Sequence, residues 1–181
     1  MLGNETLWSV AERCNAALTD AEIPYSVCGG VAVCLHGYQR NTVDLDVVVR
    51  SDDSAAIRAT LEANGFEWDQ QRVEFRSTDG IAVQCLLAGQ RAGKGSSVMI
   101  PDPTGQANVE QLQGLSVVRL SRLIEMKLAC GIGNLRRTHK DFADVVELID
   151  VRNLDGAFAG LLHKSVRDTF RELVRNVRSA D

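Results

Sequence analysis

The 181-residue sequence lacks the features that mark several classes of protein. It has no run of about 18 apolar residues, so a membrane-spanning helix is not expected. Its first residues include Glu5 and Glu12 and have no basic start before an apolar stretch, so a signal peptide is not expected. Only 3 residues are proline and 45% are hydrophobic, which indicates a folded chain rather than a disordered one.

The five cysteines do not form the pattern of a disulfide framework or of a zinc site. Their number is odd, and no two of them lie at C-x-x-C spacing. We therefore expect reduced thiols, which are typical of a cytoplasmic protein. The cysteines are Cys14, Cys28, Cys34, Cys85 and Cys130.

The net charge of −4 is unevenly distributed along the chain. Residues 1–118 contain 8 Lys and Arg against 15 Asp and Glu, whereas residues 119–181 contain 12 against 9. An acidic first part does not favour a simple nucleic-acid-binding protein. It suits an acidic metal site together with basic side chains that meet phosphate, and it is equally compatible with a chance distribution of charges.

Hydrophobic periodicity predicts a mixture of helices and strands in residues 1–118. The predicted helices are 5–20, 31–37 and 53–64, and the predicted strands are 25–28, 43–49, 72–76 and 81–87. Between the last two strands lies Thr78-Asp79-Gly80, where a two-residue Asp79-Gly80 turn is the stronger hairpin signal. Residues 88–113 are rich in glycine and serine, and they predict a long loop.

From Ser121 onward the pattern predicts helices alone. These cover residues 121–131, 138–151 and 155–178, and the last is expected to break near His163. The predicted fold class is therefore α+β. A mixed sheet flanked by helices occupies residues 1–118, and a C-terminal helical region of residues 119–181 packs on that core.

Asp44 and Asp46 are the first candidate functional residues. They are two apart in a valine-rich strand, so both carboxylates project from one face of it. Neighbouring carboxylates repel each other unless a cation lies between them. Mg²⁺ accepts such oxygen ligands and takes others from substrate phosphates. A single D-x-D is nevertheless more often a solvated strand edge than a site.

Gly29-Gly30 stands where a predicted strand ends and a helix begins. Glycines at such a point let backbone N–H groups approach an anion closely, and the helix N-terminus adds a favourable dipole. A single glycine pair usually marks only a turn. The order of strand, glycine pair, short helix and acidic pair predicts a site for a nucleoside triphosphate and a divalent cation.

These motifs resemble those of the nucleotidyltransferase superfamily, whose members have the DNA-polymerase-β-like fold. Its hallmark is a glycine turn followed, about a dozen residues later, by D-x-D on a strand. Residues 37–46, GYQRNTVDLD, resemble the G-x-x-R-x-T-x-D-h-D form (h, hydrophobic) of small bacterial members. Those members include proteins related to the nucleotidyltransferases of toxin–antitoxin systems.

The resemblance implies roles for the matching residues. Asp44 and Asp46 would hold Mg²⁺ or Mn²⁺, and the Gly29-Gly30 turn would bind the triphosphate. Thr42 and Arg40 belong to the same motif and would support nucleotide binding. For Arg40, pairing with a surface acid is an equally good interpretation.

Further candidates lie in the predicted C-terminal helices. Lys127 falls near the centre of an apolar stripe, where a lysine either reaches past the core to solvent or meets an anion such as phosphate. The series from Lys127 through Arg136-Arg137 to Asp141 resembles the K-L…R…R-D-x-x-D motif of the abortive-infection branch. This resemblance implies that Lys127 and Asp141 belong to the active site, with the more exposed Asp144 as the alternate acid.

Gln84 departs from the pattern of the superfamily. Active members usually bear a third carboxylate on a neighbouring strand, and Gln84 stands at the matching position. An amide can ligate through its oxygen, but it neither accepts a proton nor neutralises a second cation. Glu74 could replace the missing carboxylate only if the hairpin has a three-residue loop, because that register places Glu74 opposite Gln84. A two-residue turn would place Glu74 opposite Cys85 instead. The stronger turn signal argues against replacement.

The sequence therefore predicts a nucleotidyltransferase-like protein that binds a nucleoside triphosphate with Mg²⁺. It would transfer a nucleoside monophosphate to a hydroxyl of a protein, a tRNA or a small molecule, with activity reduced by Gln84. The alternative is a catalytically inactive nucleotide-binding or partner-binding module, such as one component of a toxin–antitoxin pair. A structural α+β domain without a nucleotide site is the third interpretation.

Overall fold

A computed structural model describes residues 5–179, with the side chains of residues 6–179. The chain packs into two compact units. The first contains the chain up to Leu35 together with Gln39–Ala88 and Pro101–Arg119, and the second contains His36–Tyr38, Gly89–Ile100 and the chain from Leu120 onward. The predicted boundary between residues 118 and 119 stays a prediction, and residues 1–4 of the segment tested for a signal peptide lie outside the described range.

The first unit is built on a mixed sheet of seven strands. In chain order these are β1 (Tyr25–Cys28), β2 (Asp44–Val49), β3 (Phe66–Asp69), β4 (Glu74–Ser77), β5 (Ala82–Leu87), β6 (Val109–Leu112) and β7 (Leu115–Val118). Their order across the sheet is β3-β4-β5-β2-β1-β7-β6. Strand β2 lies near the centre, antiparallel to β1 and parallel to β5.

Three helices belong to the same unit: α1 (Glu5–Asp20), α2 (Gly29–Leu35) and α3 (Ser54–Ala63). Helix α1 buries its predicted apolar stripe, including Leu7 and Leu18, and α3 buries Leu61. Ile57 of α3 lines a common hollow with Val49 of β2. Because side chains alternate along a strand, Leu45, Val47 and Val49 face these helices, and Asp44 and Asp46 project from the other face.

Three short strands escape the sequence prediction. Strand β3 carries two acidic residues among four, and β6 lies inside the segment predicted to be one long loop. The turn joining β6 to β7 is Gln113-Gly114, and both residues have positive φ angles. That turn type matches the twist of a hairpin. Strand β7 owes its place to parallel pairing with β1, which no local pattern reveals.

The turn between β4 and β5 differs from the predicted one. The Ser77 N–H donates to the Ile81 carbonyl at 3.0 Å, so Thr78, Asp79 and Gly80 form a three-residue loop. The predicted two-residue turn is wrong because it needs positive φ at both central residues. Gly80 has φ +79°, whereas Asp79 is not in the left-handed region.

The second unit is mainly helical. It contains α4 (Leu120–Gly133), α5 (Leu135–Val151) and α6 (Arg167–Ser179), with 3-10 turns at Gly156–Leu161 and Lys164–Val166. The Asn134 side chain accepts from the Arg136 N–H and begins α5. The predicted break near His163 is confirmed, since its ring caps the turn that precedes α6. Within residues 5–179 we find no helix with the length and apolar character needed to cross a membrane.

Candidate active site

Asp46 lies directly against Gly29 in the first unit. Cys28, the last residue of β1, pairs with Asp46 of β2, which brings the acidic strand beside the start of α2. A Cβ atom at Gly29 would lie 1.8 Å from Asp46 Oδ2, and the φ angle of Gly29 is +62°. Both the backbone conformation and the space taken by the carboxylate therefore require glycine at this position.

Gly30 is covered by polar side chains of the segment that leads into β2. A Cβ atom at Gly30 would lie 2.4 Å from Thr42 Oγ1 and 2.9 Å from Arg40 Nη2. Thr42 Oγ1 also donates to Asp44 Oδ1 at 3.2 Å. A guanidinium and a hydroxyl thus lie over the glycine turn, and guanidinium groups match the oxygens of phosphate well.

Asp44 and Asp46 provide two half-exposed carboxylates on one face of β2, while Leu45 and Val47 between and beside them are buried. Together with the Thr42 hydroxyl they form a set of oxygen ligands of the kind that Mg²⁺ and Mn²⁺ prefer. Within residues 5–179, no three His, Cys, Asp or Glu side chains are placed to share one metal ion. A cation held here would therefore complete its coordination with amide, water or phosphate oxygens.

Gln84 and Glu74 lie beside this pair on the same face of the sheet. Strand β2 pairs Asp46 with Gln84, and Gln84 Nε2 donates to Glu74 Oε2 at 3.3 Å. Glu74 is only 6% exposed and also accepts from the Arg76 guanidinium. The prediction that Glu74 lies opposite Cys85 is wrong, because the three-residue loop shifts β4 by one residue. Sequence reasoning missed Arg76, although its two-residue spacing from Glu74 places both on one face.

Lys127 lies in a buried ion cluster within the second unit. Its Nζ is 2.6 Å from Asp144 Oδ2 and 3.4 Å from Asp141 Oδ1, and Arg137 Nε is 3.1 Å from Asp141 Oδ2. Lys127 is 6% exposed, Asp141 1% and Asp144 2%. Asp144, expected on a more exposed side of its helix, is buried because it pairs with Lys127. The catalytic roles of Lys127 and Asp141 stay predictions.

Neither Cys14 nor Cys85 is a candidate nucleophile. Burial raises the pKa of both thiols to about 12. A thiol attacks as its thiolate, and the thiolate is scarce at neutral pH when the pKa is this high.

Comparison with protein families identifies a family that matches most of the first unit. Residues 11–121 match the model of a family described as aminoglycoside-2''-adenylyltransferase, and this stretch covers more than half of the chain. It includes the glycine pair, the acidic pair, Gln84 and Glu74. No curated protein sequence matches the chain. The resemblance to the abortive-infection branch stays a prediction, since the matching family is a different one.

Solved structures share the fold at low sequence identity. A crystal structure of ANT(2'')-Ia with adenylyl-2''-tobramycin is 12% identical with a TM-score of 0.55, covering 94% of this chain and 98% of that one. A protein of H. pylori described as a nucleotidyltransferase is 16% identical with a TM-score of 0.56, covering 99% and 85%. Another, from Thermotoga maritima, is 15% identical with a TM-score of 0.53, covering 77% and 92%. The predicted nucleotidyltransferase-like α+β fold is confirmed.

Proposed function

Because the chain belongs to the aminoglycoside-2''-adenylyltransferase family, we propose that it transfers AMP from ATP to a hydroxyl group of a small molecule. The observation that carries this proposal is the contact between Asp46 and Gly29, which joins two carboxylates to a glycine turn covered by hydrogen-bond donors. Carboxylates for a cation and donors for phosphates are the two requirements of a nucleotide site.

Each residue of the site has a role that follows from its chemistry. Asp44 and Asp46 hold Mg²⁺ or Mn²⁺, and Thr42 keeps the Asp44 carboxylate in place through its hydrogen bond. The Gly29-Gly30 turn and Arg40 bind the triphosphate oxygens. A cation held by these carboxylates would supply positive charge that offsets the charge developing on the phosphates.

The transfer itself is an in-line displacement. The acceptor oxygen forms a bond to the α-phosphorus, the bond from that phosphorus to pyrophosphate breaks, and the hydroxyl proton is released. The residues of the site favour this step by holding the triphosphate and the acceptor in position. The reaction between two molecules then becomes effectively unimolecular.

The charge of the first part of the chain favours a cationic acceptor. Residues 1–118 carry 15 acidic against 8 basic side chains, and such an excess attracts cations to the surface. The family is described by its action on aminoglycosides, which are sugars that bear both amines and hydroxyls. We therefore propose a small amino-sugar-like acceptor ahead of a tRNA or a protein.

Gln84 favours a second candidate function. With an amide in place of the third carboxylate, the protein would bind ATP and a cation without rapid turnover. A nucleotide-binding or partner-binding module, such as one component of a toxin–antitoxin pair, would have this behaviour. ATP binding without transfer to any acceptor is the result that this alternative predicts.

The test is to incubate the protein with ATP, Mg²⁺ or Mn²⁺, and a panel of aminoglycosides, while pyrophosphate release and labelled acceptor are measured. Transfer that depends on both metal and acceptor is expected. Asp44→Asn and Asp46→Asn should each lower it by about 100-fold or more. Asp20→Asn, which changes an exposed acid at the end of α1, should leave it unchanged. Absence of both transfer and ATP binding would overturn the proposal and its nucleotide-binding alternative together.

A further inference from the structure

Asp46, Gln84 and Glu74 form one row across three neighbouring strands. The pairing of β2 with β5 places Asp46 beside Gln84. The pairing of β4 with β5 joins Phe75 to Val83 and Arg76 to Ala82, so its next step joins Glu74 to Gln84. Residues in register on adjacent strands project from the same face of a sheet. Gln84 therefore stands between the two acidic side chains.

The contact with Glu74 determines the orientation of the Gln84 amide group. An ionised carboxylate has no hydrogen to donate, so it accepts only from the NH₂ end of an amide. The Arg76 guanidinium donates to the other Glu74 oxygen, so both oxygens of that side chain act as acceptors. Nε2 of Gln84 is accordingly the atom engaged with Glu74 at 3.3 Å, and the amide oxygen is the end that Glu74 does not use.

Exposure separates the roles of the two side chains. Glu74 is 6% exposed and already accepts from two donors, whereas Gln84 is exposed. Of these two side chains, Gln84 is therefore the accessible one, and it lies beside Asp46 in the sheet. This agrees with the finding that, in residues 5–179, no three acidic, histidine or cysteine side chains share a metal position.

We propose that Glu74, fixed by Arg76, orients Gln84 so that the amide oxygen serves as a neutral ligand for the cation held by Asp44 and Asp46. Glu74 is a positioning residue that does not touch the cation. This inference rests on the proposed function, since it assumes that Asp44 and Asp46 hold a divalent cation. It makes the site one with two charged ligands and one oriented amide, in place of three carboxylates.

The experiment is a titration of the whole protein with Mn²⁺ alone, in which electron paramagnetic resonance reports the unbound ion. Glu74→Gln keeps the side-chain shape but lets the Gln84 amide turn either way. It should weaken Mn²⁺ binding about tenfold, as outer-shell substitutions typically do. Gln84→Ala, which removes the oxygen ligand, should weaken binding at least as much. Glu12→Gln, at an exposed position of α1, is the matched control for loss of one acidic charge.

The double variant distinguishes orientation from a general effect of charge. When Gln84 is already alanine, Glu74→Gln should have no further effect on Mn²⁺ binding, because no amide remains to be oriented. An equal effect in both backgrounds, or none in the wild-type background, would overturn the inference while leaving the proposed function intact. If the wild-type protein does not bind Mn²⁺, or if Asp44→Asn does not abolish the binding, the inference and the metal site of the proposed function both fail. Thermal unfolding of each variant verifies that it is folded.

Discussion

At the scale of single residues, the candidate site depends on the close approach of Asp46 to Gly29. Gly29 has no side chain, and Asp46 fills the volume where a Cβ atom would lie. The sequence placed both residues in one predicted site from the order of strand, glycine pair, short helix and acidic strand, and from the resemblance to nucleotidyltransferases. It did not reveal that they touch, because their contact depends on the pairing of β1 with β2.

Gly29→Ala tests this contact. The new methyl group would overlap Asp46, and alanine disfavours the φ of +62° by about 1–2 kcal/mol. We expect a loss of stability larger than this backbone term, together with weaker Mn²⁺ binding. Urea unfolding and the Mn²⁺ titration are the measurements.

Gly65→Ala is the matched control for that change. Gly65 has a similar φ of +81°, but a Cβ atom there would meet no atom within 4 Å. Its substitution therefore reports the backbone cost without a clash. Equal losses of stability at the two glycines, with Mn²⁺ binding unchanged, would show that Asp46 moves aside freely and that the contact has no consequence.

At the scale of secondary-structure elements, the packing of α4 against α5 settles the surroundings of Lys127, which the sequence left open. In the second unit, the sequence allowed Lys127 to reach either solvent or a phosphate. The packing of α4 against α5 instead places it between Asp141 and Asp144. Helical periodicity correctly put Lys127 on the inner face of α4. Its two acidic partners belong to α5, so the distances between Lys127 and these aspartates depend on tertiary packing.

Lys127→Met tests the energetic role of this cluster. Removing the ammonium leaves two buried carboxylates short of a partner, which typically costs about 3–5 kcal/mol. We expect a loss of that order in the free energy of unfolding, measured by urea denaturation. Lys140→Met, an exposed lysine of α5, is the control and should change stability by less than about 0.5 kcal/mol.

Adding Asp144→Asn to Lys127→Met should recover part of the lost stability, because the buried charge that Lys127 Nζ contacts at 2.6 Å is then removed as well. If the recovered protein remains unable to transfer AMP while Asp144→Asn alone retains transfer, the predicted catalytic role of Lys127 gains support. A Lys127→Met protein as stable as the wild type would contradict the structural role assigned to the cluster.

The hairpin of β4 and β5 shows how one residue of loop length changes a chemical prediction. Local sequence favoured a two-residue turn, which would turn Glu74 away from Gln84. The observed register puts Glu74 on the acidic face, because shifting a strand by one residue exchanges its two faces. The pairing of the whole strand decides between the two turns.

For the whole molecule, the response of stability to acid includes the contribution of an ion pair in the first unit. Arg50 follows β2, and its guanidinium makes two hydrogen bonds of 2.9 Å with Asp102. Hydrogen bonding to Arg50 lowers the pKa of Asp102 from 3.8 to about 2. Both side chains are more than 40% exposed, so solvent screening keeps the gain small.

The sign of the pH effect follows from that lowered pKa. The contribution is fully present above pH 3.8, the ordinary pKa, and is lost as the pH falls through about 2. Asp102→Asn should therefore lower the unfolding free energy near pH 7 and approach the wild-type value in strong acid. Urea unfolding across this pH range is the measurement. A double-mutant cycle with Arg50→Gln isolates the pair, and a coupling energy that does not change with pH would contradict this account.

The sequence by itself determined the local features of this protein: the amphipathic helices, the valine-rich acidic strand, the glycine turn before α2, and the order that resembles nucleotidyltransferases. These follow from periodicity and residue type over short stretches, where each residue acts on near neighbours. The tertiary structure alone decided which strands pair, that Asp46 fills the space at Gly29, that Glu74 bonds to Gln84, and that Lys127 meets two aspartates. Such contacts join residues far apart in the chain, so they are settled by the packing of whole elements rather than by local preference.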